Sequence, residues 1–274
     1  MGQLSGKDLR RPCQDCDPVF CFCPMGPSQA SQAIILRTRA YGESDKIVTF
    51  LTEDAGKLTG IAKGAKNSRR RFANCLDPFT RVRAHFRSRP GAGLVFLESC
   101  DLLEPVGALV DPAKFAYGSY LVELIDQLTA EAHPVRELYN LLAEGLDELR
   151  HRTATAVLLR AFEVQLLYHT GYEPQLQHCG RCHRPLSPQT SAFLDPINGS
   201  IVCAGCRSRE ESLISIDPRT LAALQRLKGQ PLNQLRDHRL PRGVATQAAQ
   251  LMGRLLALHL PRPLRSTKLI AALR

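Results

Sequence analysis

Four cysteines pose the first chemical question of this chain: Cys179-Gly180-Arg181-Cys182 and, twenty residues further on, Cys203-Ala204-Gly205-Cys206. Two C-x2-C turns at this separation fit a tetrahedral four-thiolate zinc site. Each turn is tight enough to aim two sulfurs at one ion, and a hairpin between them would bring the pairs together. Four thiolates leave no open position for water or substrate, so the Zn2+ of such a site is structural. The other reading of these residues is reduced, buried cysteines or a redox pair. His178 and His183 flank the first turn, but four cysteines already complete the ligand set.

Cations pose the second question. The segment Lys63-Gly64-Ala65-Lys66-Asn67-Ser68-Arg69-Arg70-Arg71-Phe72 carries five of them, and Gly64, Asn67 and Ser68 favour a loop. Arg81, Arg83, Arg87 and Arg89 follow with mostly period-2 spacing, which lines one face of a strand. Residues 57–96 hold ten basic residues and one acidic, whereas residues 97–170 hold five basic and twelve acidic, in a chain of net charge +10. A loop and a strand face of one sign form a groove that can follow a phosphate backbone. Lys57, Lys63, Lys66, Arg69, Arg70, Arg71, Arg81, Arg83 and Arg87 are therefore the expected DNA contacts, against the ordinary alternative of a solvated charged surface. Phe72, Phe79 and Phe86 interleave with the cations. They read as core, with base stacking as the alternative.

Catalytic signatures are absent from the sequence. It contains no G-x-x-x-x-G-K-[ST] loop, no H-x-E paired with P-C-x-x-C, and no histidine pair of metalloprotease spacing. The acidic residues of 97–170 fall at helix-face spacing without an Asp-x-Asp cluster. The expectation is a binding protein and not an enzyme.

These residues need elements to position them. Ala33–Arg37, Lys46–Leu51, Lys57–Lys63, Thr80–Phe86 and Gly93–Ser99 are short runs rich in Ile, Val, Phe, Leu and Thr, separated by turn signals such as Tyr41-Gly42 and Asp77-Pro78. Five strands in this length suit a small barrel of the OB-fold kind, although periodicity alone does not separate it from an SH3-like barrel. From Asp111-Pro112, an N-cap and first turn, the period becomes helical. Tyr117, Leu121, Leu124, Ile125 and Leu128 form one apolar stripe; Leu138, Leu141, Leu142 and Leu149 a second; Val157, Leu158, Phe162, Leu166 and Leu167 a third. Asp217-Pro218 opens another helix, and Ala245–His259 is the last long one. The fold class expected is α+β multidomain. Residues 1–30 are a disordered leader, 31–104 an OB-fold nucleic-acid-binding domain, and 105–176 the first part of a helical domain. Residues 177–210 are an inserted zinc-ribbon-like module, and 211–274 the second part of the helical domain.

The leader holds Cys13, Cys16, Cys21 and Cys23, a cramped spacing for a second metal site, and Met25 offers a later start. The ten cysteines read as thiols of a reducing cytoplasm, since no signal peptide or membrane-length apolar run accompanies them.

The motifs also carry a family likeness. Tyr41-Gly42-Glu43-Ser44-Asp45-Lys46-Ile47-Val48, with Leu51-Thr52 and Gly56-Lys57, resembles the opening of the bacterial recombination mediator family RecO. Ala62-Lys63-Gly64-Ala65-Lys66, Ser68 and Leu76-Asp77-Pro78-Phe79 resemble its next signature. Leu166-Leu167-Tyr168-His169-Thr170-Gly171-Tyr172-Glu173-Pro174 continues the match up to the first cysteine pair. Phe193, Gly199, Cys203 through Cys206 and Pro263-Leu264-Arg265-Ser266 extend it. The resemblance covers about residues 32–270 and leaves 1–24 without a counterpart. It implies an N-terminal OB-fold, a helical remainder with a zinc-ribbon-like insert, and a nucleoid-associated cytoplasmic protein. It further implies binding of single- and double-stranded DNA, annealing of complementary strands, and work with RecR and RecF to load RecA onto strands coated by SSB. The acidic, apolar-ended SSB tail would dock on the helical domain. Two rivals from other classes are a zinc-ribbon regulator reading one duplex sequence and a hydrolase using the acidic block. A sequence-specific footprint or metal-dependent cleavage would identify them.

Overall fold

Five strands rich in Ile, Val, Phe and Leu close into a barrel in the computed structural model, which describes residues 26–88, 93–173, 175–187, 191–208 and 213–272. The leader cysteines lie outside the described residues. The strands are β1 (Gln29–Tyr41), β2 (Asp45–Thr52), β3 (Gly56–Ala62), β4 (Arg81–Arg87) and β5 (Val95–Glu104). Their order around the barrel is β1-β2-β3-β5-β4, with β3 and β5 parallel and the other neighbours antiparallel. This closure is that of the OB-fold and leaves no open sheet edge. β1 serves two partners: its first half pairs with β4 and its second with β2. A bulge between Ile35 and Arg37 bends it from one to the other. At the bend the Ile35 N–H donates to the Thr80 carbonyl, and the Ile35 carbonyl accepts from Phe79. Ala33, Ile35, Val48, Phe50, Leu58, Phe72, Phe86 and Leu97 fill the interior.

A helical layer follows: α1 (Pro112–Leu128), α2 (Arg136–His151), α3 (Ala156–His169), α4 (Pro218–Lys228), α5 (Arg242–His259) and α6 (Ser266–Ala271). The Asp111 carboxylate accepts from the N–H groups of Ala113 and Lys114, and Asp217 accepts from Arg219, so both Asp-Pro pairs cap a helix. Between α3 and α4, β6 (Ala192–Asp195) pairs with both β7 (Ser200–Cys203) and β8 (Ile214–Ile216). This small sheet shares one apolar core with the helices, in which Ala192, Leu194, Ile201 and Ile216 join Leu124, Phe162, Leu221 and Leu255.

Barrel and helices are locked by the same core. Ile34, Leu36, Leu51 and Phe79 leave the barrel interior to others and pack against the helical cluster. Phe79 lies edge-on to Phe115 at 5.3 Å, with its backbone in the left-handed region at φ 72°. The Arg150 guanidinium donates to its carbonyl at 3.1 Å. Gly56, at φ +73°, packs so closely that a Cβ there would sit 2.3 Å from the His133 carbonyl oxygen. Any side chain would therefore wedge β3 away from the segment before α2.

Candidate metal centre and nucleic-acid interface

The first cysteine turn is built by backbone bonds. The Cys179 N–H donates to the Arg184 carbonyl, His183 N–H returns to the Cys179 carbonyl, and His183 takes a left-handed φ of 57° to close the loop. Gly180 lets the turn press on β7, since a Cβ there would lie 2.8 Å from that of Ser200. Its N–H donates to the Ile201 carbonyl at 2.8 Å. The second turn is the end of β7 running into a 3-10 turn at Ala204–Cys206. Arg181 ties the two together by donating to the Cys206 carbonyl at 2.9 Å and to the Asp195 carboxylate at 3.3 Å.

All four sulfurs fall within 4.8 Å of one another. The Cys182 and Cys203 sulfurs are 3.7 Å apart. A tetrahedron of about 2.3 Å Zn–S bonds has edges of about 3.8 Å, so the Cys182–Cys203 edge matches that of a filled zinc site. Burial opposes the Cys179 thiolate, but the N–H groups of Cys182, Cys203 and Arg181 outweigh it and bring that thiol down to about 6. Cys206, hydrogen-bonded to the thiols of Cys182 and Cys203, is pushed up to about 12. Four sulfurs this close cannot all carry charge unless a cation sits among them, and a divalent ion removes the conflict. The donor set therefore fits a metal ion. His178 and His183 are exposed, and neither belongs to the group.

The expected cationic groove divides in two. Lys63, Lys66, Arg69, Arg70 and Arg71 are exposed on the loop after β3. That loop is held in shape: the Lys66 N–H donates to the Ser44 carbonyl and its ammonium to the Gly42 carbonyl at 2.8 Å. The Arg71 guanidinium donates to the Lys63 carbonyl at 2.8 Å, and the Arg71 carbonyl accepts from Cys100 of β5. Among the described residues neither Arg69 nor Arg70 has an anionic partner. An acid also bonded to the loop is Asp45, which accepts from the Gly64 N–H at 2.8 Å and from the Ser44 hydroxyl at 3.0 Å.

The face of β4 is different. Arg81 pairs with Glu104 at 3.2 Å and with Asp147 of α2 at 3.5 Å. His85 meets Asp101 at 2.9 Å, and Arg87 meets Glu98 at 2.8 Å. Arg83 is exposed but lies in register with Asp101. Arg81 and Arg87 of the strand face expected to be uniformly positive are thus matched by acids of β5, which belong to the acidic stretch of the sequence. Lys57 is a further correction. It is buried against α1, donating to the Asp126 carbonyl at 2.5 Å with the Asp126 carboxylate 3.6 Å away. It faces the helices and not solvent. The acidic residues of the helical stretch do not all face solvent, since Asp126 also pairs with Arg37 at 3.1 Å; in the other direction Arg136 of α2 meets Glu53 and Asp54 of the barrel. Phe72, Phe79 and Phe86 are each at most 4% exposed, so none can stack on a base.

Residues outside the expected set join the open loop. Arg39 is exposed at the end of β1, and Lys46 opens β2 beside Ala40 and Ala62. Tyr41 is 53% exposed at the tip of β1. The period-2 spacing of Arg37, Arg39 and Tyr41 was the available signal, but β1 reads as ending at Arg37 when judged by its apolar run alone.

Among the described residues no helix is long and apolar enough to cross a membrane. Residues 25–106 match the family model described as Recombination protein O N terminal, and residues 109–268 match that described as Recombination protein O C terminal. The chain is 35% identical over 238 residues to the DNA repair protein RecO of Anaeromyxobacter sp. (strain K), covering 86% of this chain and 93% of that one. It is 38% identical over 197 residues to that of Pelobacter propionicus, covering 71% and 78%. It is 34% identical over 240 residues to that of Myxococcus xanthus, covering 87% and 95%. Two matched domains in chain order, over a barrel and a helical layer joined by one core, place this chain in the RecO family of DNA repair proteins.

Proposed function

We propose that this protein binds single- and double-stranded DNA without chemistry of its own and anneals complementary strands. With RecR and RecF it helps load RecA onto strands covered by SSB. The observation that carries this reading is the braced, solvent-facing loop of Lys63, Lys66, Arg69, Arg70 and Arg71 on the barrel. Complementary strands repel each other through their phosphates. Cations held at fixed positions lower that repulsion and release counterions. Contact with about six phosphates of a single strand gives a slope of log affinity against log salt of roughly −4. Arg39, Lys46 and Arg83 extend the surface. Arg81 and Arg87 contribute less, because their charges are already matched, and Lys57 does not contribute.

The same boundaries divide the work: residues 31–104 bind DNA, 177–210 hold the metal, and 105–176 with 211–274 frame both. The metal is a structural Zn2+ on Cys179, Cys182, Cys203 and Cys206. It joins β7 to the turn before β6 at the edge of the helical core, so the free energy of metal binding is folding free energy, on the order of 10–16 kcal/mol in small zinc modules. Cys182→Ser lowers zinc content and thermal stability together, read by metal analysis and calorimetry. A folded wild type without zinc overturns the assignment.

For the SSB tail, the helical part offers a small cleft walled by Leu158, Leu232 and Leu235, with Arg152 at its rim and Arg236 held by the Glu148 carboxylate in its wall. An apolar floor beside Arg152 suits an acidic peptide with an apolar end. The deciding experiment is strand annealing on bare and SSB-coated oligonucleotides. Annealing proceeds without nucleotide in both cases, and deletion of the SSB tail slows the coated reaction alone. Absence of annealing refutes the reading.

A further inference from the structure

The tip of β1 carries an exposed aromatic ring beside the solvent-facing cations of the loop after β3. β1 alternates Arg37, Arg39 and Tyr41 on its outer face, because side chains two apart share a face. Arg39 is in register with Ile47 of β2, which is in register with Ile61 of β3. Arg37, Thr49 and Thr59 form the next row. Arg37, Thr38, Arg39, Ile47, Thr49 and Thr59 wall a shallow groove across the outside of β1, β2 and β3. The groove floor is aliphatic and hydroxylated; its Arg37 end is closed by the Arg37–Asp126 pair and by Glu131, which accepts from Thr59, while its Arg39 end is cationic and leads to Tyr41 beside the turn.

The turn itself is stiff. The Lys66 ammonium and N–H hold the carbonyls of Gly42 and Ser44, and Asp45 holds the Gly64 N–H at 2.8 Å. Tyr41 is thus presented on a fixed backbone next to Lys63 and Lys66. An isolated aromatic ring on a protein surface needs no explanation. Here the ring is 53% exposed, while of the other aromatic side chains of the barrel Phe50, Phe72, Phe79 and Phe86 are buried and Phe96 is half-buried. It is therefore the ring that the cationic end of the barrel offers to solvent.

We propose that Tyr41 is a base-stacking platform, and that a single strand crosses the β1–β2–β3 groove with one unpaired base on its ring and flanking phosphates on Arg39, Lys46 and Lys66. This rests on the DNA-binding reading above and adds the ligand form that the site prefers. Stacking on an aromatic ring requires a base free of its own stack, so Tyr41 acts on single strands and not on intact duplex. The cations act on both. The groove therefore biases the protein toward the unpaired substrate that annealing consumes.

The chain contains no tryptophan, so a single reporter can be placed at the site. Full-length Tyr41→Trp is titrated with a thymidine 20-mer, with an abasic oligonucleotide of equal length, and with a 20-base-pair duplex. Binding is measured separately by anisotropy of labelled DNA. The expected result is quenching of the tryptophan by the thymidine strand, with none by the abasic strand or duplex although both bind. Tyr41→Ala weakens thymidine-strand binding about tenfold, Tyr41→Phe leaves it near wild type, and neither changes abasic or duplex binding. Unquenched tryptophan with unchanged affinity in Tyr41→Ala overturns the stacking role and leaves the DNA reading intact. Failure of wild type to bind any of the three overturns both.

Discussion

Two cationic stretches of the barrel, adjacent in sequence, meet opposite fates. On β4, Arg81 and Arg87 are ion-paired with Glu104 and Glu98 of β5, and His85 is hydrogen-bonded to Asp101. On the loop after β3, Lys63, Lys66, Arg69, Arg70 and Arg71 face solvent, and their hydrogen bonds go to carbonyls, which leave the charge in place. A carboxylate cancels the field of a cation at a distance; a carbonyl positions the cation and leaves the field available to a phosphate. The number of arginines in a stretch therefore says less about binding than the identity of the acceptor that each one meets.

The largest test of this contrast reverses the open loop. Arg69→Glu, Arg70→Glu and Arg71→Glu together reduce single-strand affinity on the order of a hundredfold at 0.1 M salt and flatten the salt slope by about 2. The loss is similar across DNA sequences, because phosphate contacts carry none of the sequence. Unchanged affinity in the folded variant would place the DNA path elsewhere. Next in size is Lys57→Met, which keeps the stem but leaves Asp126 without its buried ammonium. Folding stability falls by roughly 3 kcal/mol, read as the urea midpoint at constant slope. The DNA affinity of the folded fraction stays within about twofold, which separates a structural cation from a binding one.

The opposite manipulation uncovers the closed face. Glu98→Gln with Asp101→Asn removes the counter-charges from Arg87, His85 and Arg83 while keeping side-chain volume. DNA affinity rises about threefold at low salt, and the gain vanishes at high salt. A decrease would mean that the β5 acids support the path of the strand and do not mask it.

How much of this was legible in the sequence depends on the range of the interaction. The cysteine quartet was legible because each pair is set by a local turn, and so were the Asp111 and Asp217 caps. The existence of five strands was legible, but not the extent of β1, whose second half is polar on its outer face, nor that of β5, which runs on to Glu104. Charge pairing was the least legible feature. Arg81 and Glu104 are 23 residues apart and Lys57 and Asp126 are 69, so blocks of opposite sign along the chain become neighbours only through barrel closure and docking of α1. Phe79 hides for a related reason: its left-handed backbone and its place under Phe115 follow from the β1 bend.

Asp45 gives the smallest and most local test. It is an acid inside the open cluster, yet it differs from the acids of β5 in what it binds. Its carboxyl is held below the usual value of 3.8, first by the Gly64 N–H, then by the Ser44 hydroxyl, with Lys63 and Lys66 adding to the effect. A depressed carboxyl supports the folded loop above its unfolded pKa and loses that support as pH falls through the folded value. The Gly64 amide resonance, followed by NMR, should therefore titrate with a midpoint below 3.8. Asp45→Asn removes the titration and leaves an amide oxygen able to accept the same bond, so the loop keeps its course at neutral pH. With one negative charge gone from beside Lys63 and Lys66, single-strand affinity rises slightly, by about twofold at low salt. A fall in affinity would show that the charge of Asp45, and not its hydrogen bond, orders the loop, and the distinction between carboxylates that cancel and acceptors that position would fail at this residue.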